Sequence, residues 1–423
     1  AALANNRGFF SAAAGVDRER VAVLDAALDA HGVYDSATHA MLLSQLALEL
    51  VPDPDWQRRA HLSDEALAMA RRVGDPMTLA RTLNFRYVAL WGPRTLPERL
   101  ANTREATMLA DRLEDPLLSF QAARFGSHAA MEAGDLALAD RLLERAHARA
   151  EQLGQPIIHW YLAVTRAKRT SISGSTAEAE QLAHDAFELG RRVGQPDARL
   201  WLVIQLFVTG LLQRTLAASQ STAVEAARIG VLDTGDAATP SRSIPSLVDA
   251  LQAATACEVG RIDDARARFD VLMGNELSDL PYDWTALVIP AVASVACVLL
   301  GDVRRARTLY AMLEPYAGQF VDGGPSWFGA TTHHLANLAT ALGRFDEADA
   351  HFTDAADAYA ALGAGAWLIR ARLDWARMLL IRRIGADVRR AQELLGEALA
   401  GAQDLGLIDV ECTAASLLSI SSD

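Results

Sequence analysis

The stretch Leu117–Gln155 reads LLSFQAARFGSHAAMEAGDLALADRLLERAHARAEQLGQ and holds one complete unit of the fold. Leu118, Phe125, Ala129 and Ala130 recur at helical spacing until Gly134 stops the run, which predicts a first helix, A. Gly134 suits the left-handed conformation that ends a helix, and Asp135 can accept from the free amides that start the next. A second helix, B, then carries Leu136, Ala139, Leu142, Leu143, Ala146 and Ala150 on one face. Asp140, Arg141, Glu144, Arg145 and Arg149 occupy the other, solvated face. Leu153 and Gly154 close helix B, and Pro156 fits the first turn of a following helix, where its missing N–H costs nothing.

The same marks recur along the chain. Glycine followed five residues later by alanine appears at Gly134/Ala139, Gly174/Ala179, Gly260/Ala265, Gly301/Ala306 and Gly343/Ala348, on a period of about forty residues. Pro76, Pro116, Pro156 and Pro196 keep the same period, three of them two residues after Gly74, Gly154 and Gly194. Weaker copies at Gly15, Pro54, Arg94, Arg214 and Gly385 bring the count to about ten units. One helical hairpin cannot bury its inner face, whereas a stack of them shares a continuous core. The expected fold is therefore all-α: an α-solenoid of helix-turn-helix repeats in a right-handed superhelix, filling residues 1–423 as a single domain.

Two connections break the period. The interval between units six and seven stretches to forty-six residues, and the excess falls around Val231–Ser246, with Gly235, Pro240 and Pro245. This is the expected irregular joint, dividing 1–230 from 247–423. The other, Ala317–Ser326, contains Gly323, Gly324 and Pro325. Either segment reads as a lid over a groove or as a passive surface insertion.

Composition narrows the function classes. A net charge of -13 argues against a nucleic-acid surface, which needs a basic stripe. The three cysteines, Cys257, Cys297 and Cys412, have no metal or redox spacing, and a reducing cytoplasm is the expected setting. The start at Ala1 shows no charged leader followed by an apolar stretch, so no signal peptide is expected, and the chain reads as an excised or processed piece. Thr285–Leu300 is the longest apolar run, yet it is short for a membrane span and holds Pro290 and Ser294; a buried helix is expected.

With a small residue of helix B packed on helix A, the unit resembles a tetratricopeptide repeat lengthened from about thirty-four residues. Leu335–Ala348, LANLATALGRFDEA, is similar to the tetratricopeptide consensus. Asn84–Pro93 (NFRYVALWGP), His128–Ala139 (HAAMEAGDLALA) and Gln195–Phe207, set among LGQP-type turns, carry a more specific likeness. They resemble the C-terminal helical region of large actinobacterial ATP-binding signal-transduction regulators, of the LuxR type or fused to adenylate cyclase. The resemblance spans essentially the whole chain. It implies a sensor or protein-interaction arm that contacts an ATPase module of the parent protein. No GxxxxGK[ST] phosphate loop occurs here, so ATP is expected only on an upstream module and no cofactor on this chain. The ending SLLSISSD shows no basic helix-turn-helix, which puts any DNA-binding or cyclase output elsewhere.

Catalytic patterns are sparse: HExxH, GxSxG, CxxC and DDxxD do not occur. His333 and His334 are adjacent and so point about 100° apart on a helix, a poor metal pair. Asp263 with Asp264, and Asp346 with Glu347, follow helix-stopping glycines and read as charges favoured by the helix dipole rather than as an acid–base pair. No catalytic or metal residue is assigned. An α/α-toroid enzyme, a closed ring with acids inside, is the weaker alternative.

The period also locates a binding surface. Residues 13, 10, 6 and 3 before each punctuation mark should form the concave stripe of helix A. Unit three gives Arg81, Asn84, Val88 and Trp91; unit four, Gln121, Arg124, His128 and Met131; unit five, Tyr161, Val164, Lys168 and Ser171, with Trp160 and Arg166 adjoining. Unit nine gives Ala330, His333, Asn337 and Thr340, whereas units six to eight, from Trp201 to Val298, are almost wholly apolar. The candidate groove residues are Arg81, Asn84, Trp91, Gln121, Arg124, His128, Trp160, Tyr161, Arg166, Trp201, His333 and Asn337. One reading is a groove for a peptide or amphiphilic small molecule, with Arg124 or Arg166 meeting an anionic group. The other is a superhelix curled so that its inner faces bury each other. The functional expectation is a non-enzymatic arm binding a protein partner or small effector, without direct nucleic-acid or membrane contact; a free-standing protein-binding scaffold is the alternative.

Overall fold

The structure, a computed structural model, describes residues 2–4, 15–32, 34–213, 242–275, 277–278 and 280–421. Helix α1 (Arg18–His31) precedes the hairpins α2 (Ala37–Glu49) with α3 (Trp56–Val73), and α4 (Pro76–Ala89) with α5 (Leu96–Leu113). Next come α6 (Pro116–Ala133) with α7 (Leu136–Leu153), α8 (Pro156–Ser173) with α9 (Thr176–Arg192), and α10 (Ala198–Gln213). Beyond residue 241 lie α11 (Ser243–Glu258) with α12 (Ile262–Leu272), and α13 (Val288–Leu300) with α14 (Val303–Leu313). Two short strands, β1 (Phe320–Asp322) and β2 (Trp327–Ala330), precede α15 (Thr331–Ala341) with α16 (Phe345–Leu362), α17 (Gly365–Arg382) with α18 (Asp387–Leu405), and α19 (Ile408–Ser421). The chain is an all-α solenoid of tetratricopeptide-like hairpins, into which one antiparallel β-hairpin is set.

Local chemistry accounts for the punctuation. Pro76, Pro116 and Pro156 open α4, α6 and α8, and the Asp75 and Asp115 side chains cap the first two. Pro196 differs, falling in a turn ahead of α10. Asp135 accepts from the Leu138 amide at 2.8 Å. The alanines five residues after the glycines, Ala139, Ala179, Ala265, Ala306 and Ala348, are at most 2% exposed, because there the two helices of a hairpin cross. Gly134 is doubly constrained. Its φ of 79° is left-handed, and the Phe320 ring occupies the place a Cβ would take.

Val288–Ser294 is buried throughout, as expected of a core helix, and no helix of the described residues is long and apolar enough to cross a membrane. Most of the expected joint at Val231–Ser246 lies outside the described residues; Ser243–Ser246 form the first turn of α11. The other long connection is neither lid nor surface insertion. Phe320–Ala330 is buried at every position, in the concave side of the stack. Phe320, Val321, Trp327 and Phe328 each contribute about 1.5–3 kcal/mol by burial, so lifting the hairpin out would cost roughly 6–12 kcal/mol. That is comparable to the whole stability of a typical domain, about 5–15 kcal/mol. The hairpin is a keystone.

Around this keystone, parts of the stack far apart in sequence meet. The Gln319 amide donates to the Pro93 carbonyl at 2.9 Å, and Arg94 Nε to the Tyr316 hydroxyl at 3.1 Å. Tyr282 packs edge-on against Trp56 at 4.5 Å and lies under the Arg94 guanidinium. Arg370 donates to the Leu211 carbonyl at 2.6 Å. The apolar stripes of units six to eight are mostly covered: Ile204, Val208, Leu247, Ala250, Val288 and Ala291 are buried, whereas Trp201, Val295 and Val298 are half-buried.

Candidate functional site

The concave surface of α4, α6, α8 and α10 is the site the sequence points to, and the hairpin divides it in two. Residues six and three before the marks lie under the hairpin. There Lys168, on α8, is fully buried and donates to Asp322 Oδ2 on β1 and to His128 Nδ1 on α6, each at 2.7 Å. An ammonium has only protons to give, so Nδ1 accepts, and the single proton of neutral His128 sits on Nε2. Burial and the neighbouring Lys168 charge push the His128 imidazole down to about 3. Burial works to raise Asp322, but Lys168 and His128 outweigh it and hold its carboxyl below the usual range.

A second buried pair lies beside the first. Arg99, on α5, binds both Glu132 oxygens, at 2.8 and 2.7 Å, and also donates to the Tyr87 hydroxyl and the Gly92 carbonyl. Burial pushes Glu132 up to about 7 against the pull of Arg99. Both carboxyl groups under the hairpin are thus held by cations.

Residues 13 before the marks form a second row at the N-terminal ends of the same helices, beyond the hairpin. Arg81 is exposed, Gln121 and Trp201 are half-buried, and Tyr161 is 5% exposed. Between the rows lie Asn84 and Arg124. The Asn84 amide donates to Gln121 Oε1 at 3.3 Å. The Arg124 guanidinium stacks 4.0 Å over Tyr161 and 5.3 Å from Phe125. Burial lowers Arg124, with Tyr161 opposing, and burial raises the Tyr161 hydroxyl to about 12 against Arg124.

The other candidates are dispersed. Trp91 is half-buried against His128, with ring centres 5.4 Å apart. Trp160 is buried and stacks on Trp201 at 4.6 Å. Arg166 is exposed; two residues from Lys168, it lies about 200° around α8 and points away from the interior. His333 bonds Asp374 at 3.1 Å and Tyr359 at 3.3 Å, while His334 bonds Ser294 at 3.0 Å and the Phe328 carbonyl at 2.9 Å. Asn337 is half-buried nearby on α15. The two histidines thus serve different partners, and no group of three His, Cys, Asp or Glu among the described residues is placed to hold a metal. Asp263, Asp264, Asp346 and Glu347 are exposed in the first turns of α12 and α16. A cavity of about 330 Å³ between α9 and α10, lined by His184, Phe187, Arg199, Leu202 and Leu206, gathers none of the predicted residues.

Sequence reasoning missed the Lys168–Asp322 pair, although a signal was present: Lys168 is the only lysine in the chain, against 39 arginines among 40 basic residues. An ammonium is a compact point charge and fits between His128 and Asp322 where a planar guanidinium fork would not.

The fold and site define a tetratricopeptide-like α-solenoid whose concave face is partly filled by its own chain. No protein-family model and no curated protein matches it. Among solved structures it is similar to the crystal structure of yeast Tom70, at 15% identity over 96% of this chain and 87% of that one, with a TM-score of 0.36. It is also similar to a circular tandem repeat protein with novel repeat topology and enhanced subunit contact surfaces, at 14% identity over 91% and 95% of the two chains, TM-score 0.17. Likenesses at these values carry no argument about function.

Proposed function

We propose that this chain is a non-enzymatic sensor or protein-interaction arm of a multidomain ATP-dependent regulator, of the transcriptional or cyclase type. Its binding surface is the outer row of helices A in units three to six. The observation that supports this reading is the division of the concave face. Lys168 and His128 are committed to the hairpin, whereas Arg81, Gln121 and Trp201 stand at equivalent positions on α4, α6 and α10 and still reach solvent. A rigid keystone behind such a row suits it to present a fixed pattern of side chains to an effector or to the ATPase module. A ligand shifts such a regulator only by binding its two states unequally.

The test uses the coding sequence upstream of Ala1 together with this chain. It is expected to encode a nucleotide-binding module, and ATP hydrolysis by the joined protein should change several-fold when Arg81→Glu and Gln121→Glu are introduced together. Absence of such a module, or hydrolysis indifferent to both changes, overturns the regulator reading.

A further inference from the structure

We propose that Arg124 is the charged floor of a site for a single carboxylate carried on a flat apolar body. The inference deepens the proposed function, since it rests on the outer helix-A row being the binding surface. Its starting point is an imbalance of groups. The buried charge-bearing side chains around the hairpin are the cations Arg99, Arg124 and Lys168 and the carboxyl groups of Glu132 and Asp322, with His128 neutral. Arg99 is spent on Glu132 and Lys168 on Asp322, which leaves Arg124. Arg124 is 8% exposed, its side chain has no carboxylate or hydrogen-bond acceptor among the described residues, and its buried Nε is without a partner. A buried, unpaired cation costs several kcal/mol, so a partner from outside would be bound with that energy in hand.

Three further features fix what the partner is. One turn along α6, His128 Nε2 carries a proton with no acceptor among the described residues, a second unmet donor on the same helix face. The guanidinium carbon sits 4.0 Å from the Tyr161 ring centre, and its N–H groups have no acceptor among the described residues, so a planar carboxylate can meet them in a two-pronged contact. Tyr161 and the half-buried Trp201, with centres 5.8 Å apart, form an aromatic wall beside it, backed by the buried Trp160. One positive charge calls for one negative charge. A doubly charged phosphate would leave a net anion in the same buried space. The carboxylate can come from a free small acid or from the end of a peptide, and the two sources share the same chemistry.

The test is thermal unfolding and titration calorimetry of this chain with benzoate, with acetyl-alanyl-phenylalanine as the free acid, and with neutral benzamide. Benzoate, the peptide acid or both should raise the melting temperature while benzamide does not, and whichever acts identifies the source. Arg124→Met should melt at or above the wild-type temperature without ligand and lose the response, and Arg124→Gln should bind at least about ten-fold more weakly, equivalent to roughly 1.4 kcal/mol. No response to either acid, or an equal response in both variants, overturns the site. Failure of the regulator reading through a missing upstream module leaves this titration unaffected.

Discussion

Asp322→Ala is expected to destabilise the fold by about 3–5 kcal/mol, seen as a fall in the urea midpoint at unchanged slope. The change strands Lys168, which is fully buried and bonds no other carboxylate among the described residues. His128 offers it a lone pair but no negative charge. The size of the effect comes from leaving a charge buried alone, not from the net worth of the pair. Lys168→Met combined with Asp322→Leu removes both charges and keeps apolar volume, and should recover most of the loss. A surface ion pair behaves differently, contributing about 0–1 kcal/mol. A loss below about 1 kcal/mol for Asp322→Ala would place the hairpin among surface features.

Acid should destabilise the protein through its buried histidines, most cleanly through His334. Burial pushes its imidazole down to about 4 from an ordinary value of 6.5. The Phe328 carbonyl can only accept, so Nε2 donates to it; Arg370 and Asp374 are its charged neighbours, and the His333 ring lies alongside. Between pH 6.5 and about 4 the unfolded chain binds a proton at this residue and the folded chain does not. The folded pKa is depressed, so the contribution is present above 6.5 and is lost as pH falls toward 4. The slope is about 1.4 kcal/mol per pH unit for one such group. His334→Gln keeps a donor for Phe328 and cannot titrate. Its stability should therefore fall less steeply than that of the wild type between pH 6 and 4.5, by about 1.4 kcal/mol per unit. Glu132 and Asp283, raised by burial, work in the opposite direction but are present in both proteins and cancel. Parallel pH profiles would show that His334 is charged in the fold.

The helices and their joints were legible because their causes are local. A glycine such as Gly134 stops a helix within its own turn, and Ala139 marks the crossing five residues on, so a forty-residue period reads directly as hairpins. Local marks also identified the row of Arg81, Gln121, Tyr161 and Trp201, since register on one helix transfers to the next. The keystone was not legible in this way. Lys168 and Asp322 are 154 residues apart, and no period links a helix of unit five to a connection before unit nine. Two clues were nevertheless present. The connection FVDGGPSWFGA carries Phe320, Val321, Trp327 and Phe328, too apolar for a solvated loop, and the one lysine sits on an inner stripe. Arg166 shows the reverse limit: it is close in sequence to the stripe yet turned away by the helix.

That single lysine also provides the most direct test of the central claim, that the chain fills its own concave face and seals Lys168 beneath the hairpin. A primary-amine reagent has one side-chain target in this sequence. Labelling followed by mass spectrometry of the peptide containing Lys168 should show no modification in the native protein and full modification in urea. Modification of native Lys168 at the rate of a free amine would contradict the account.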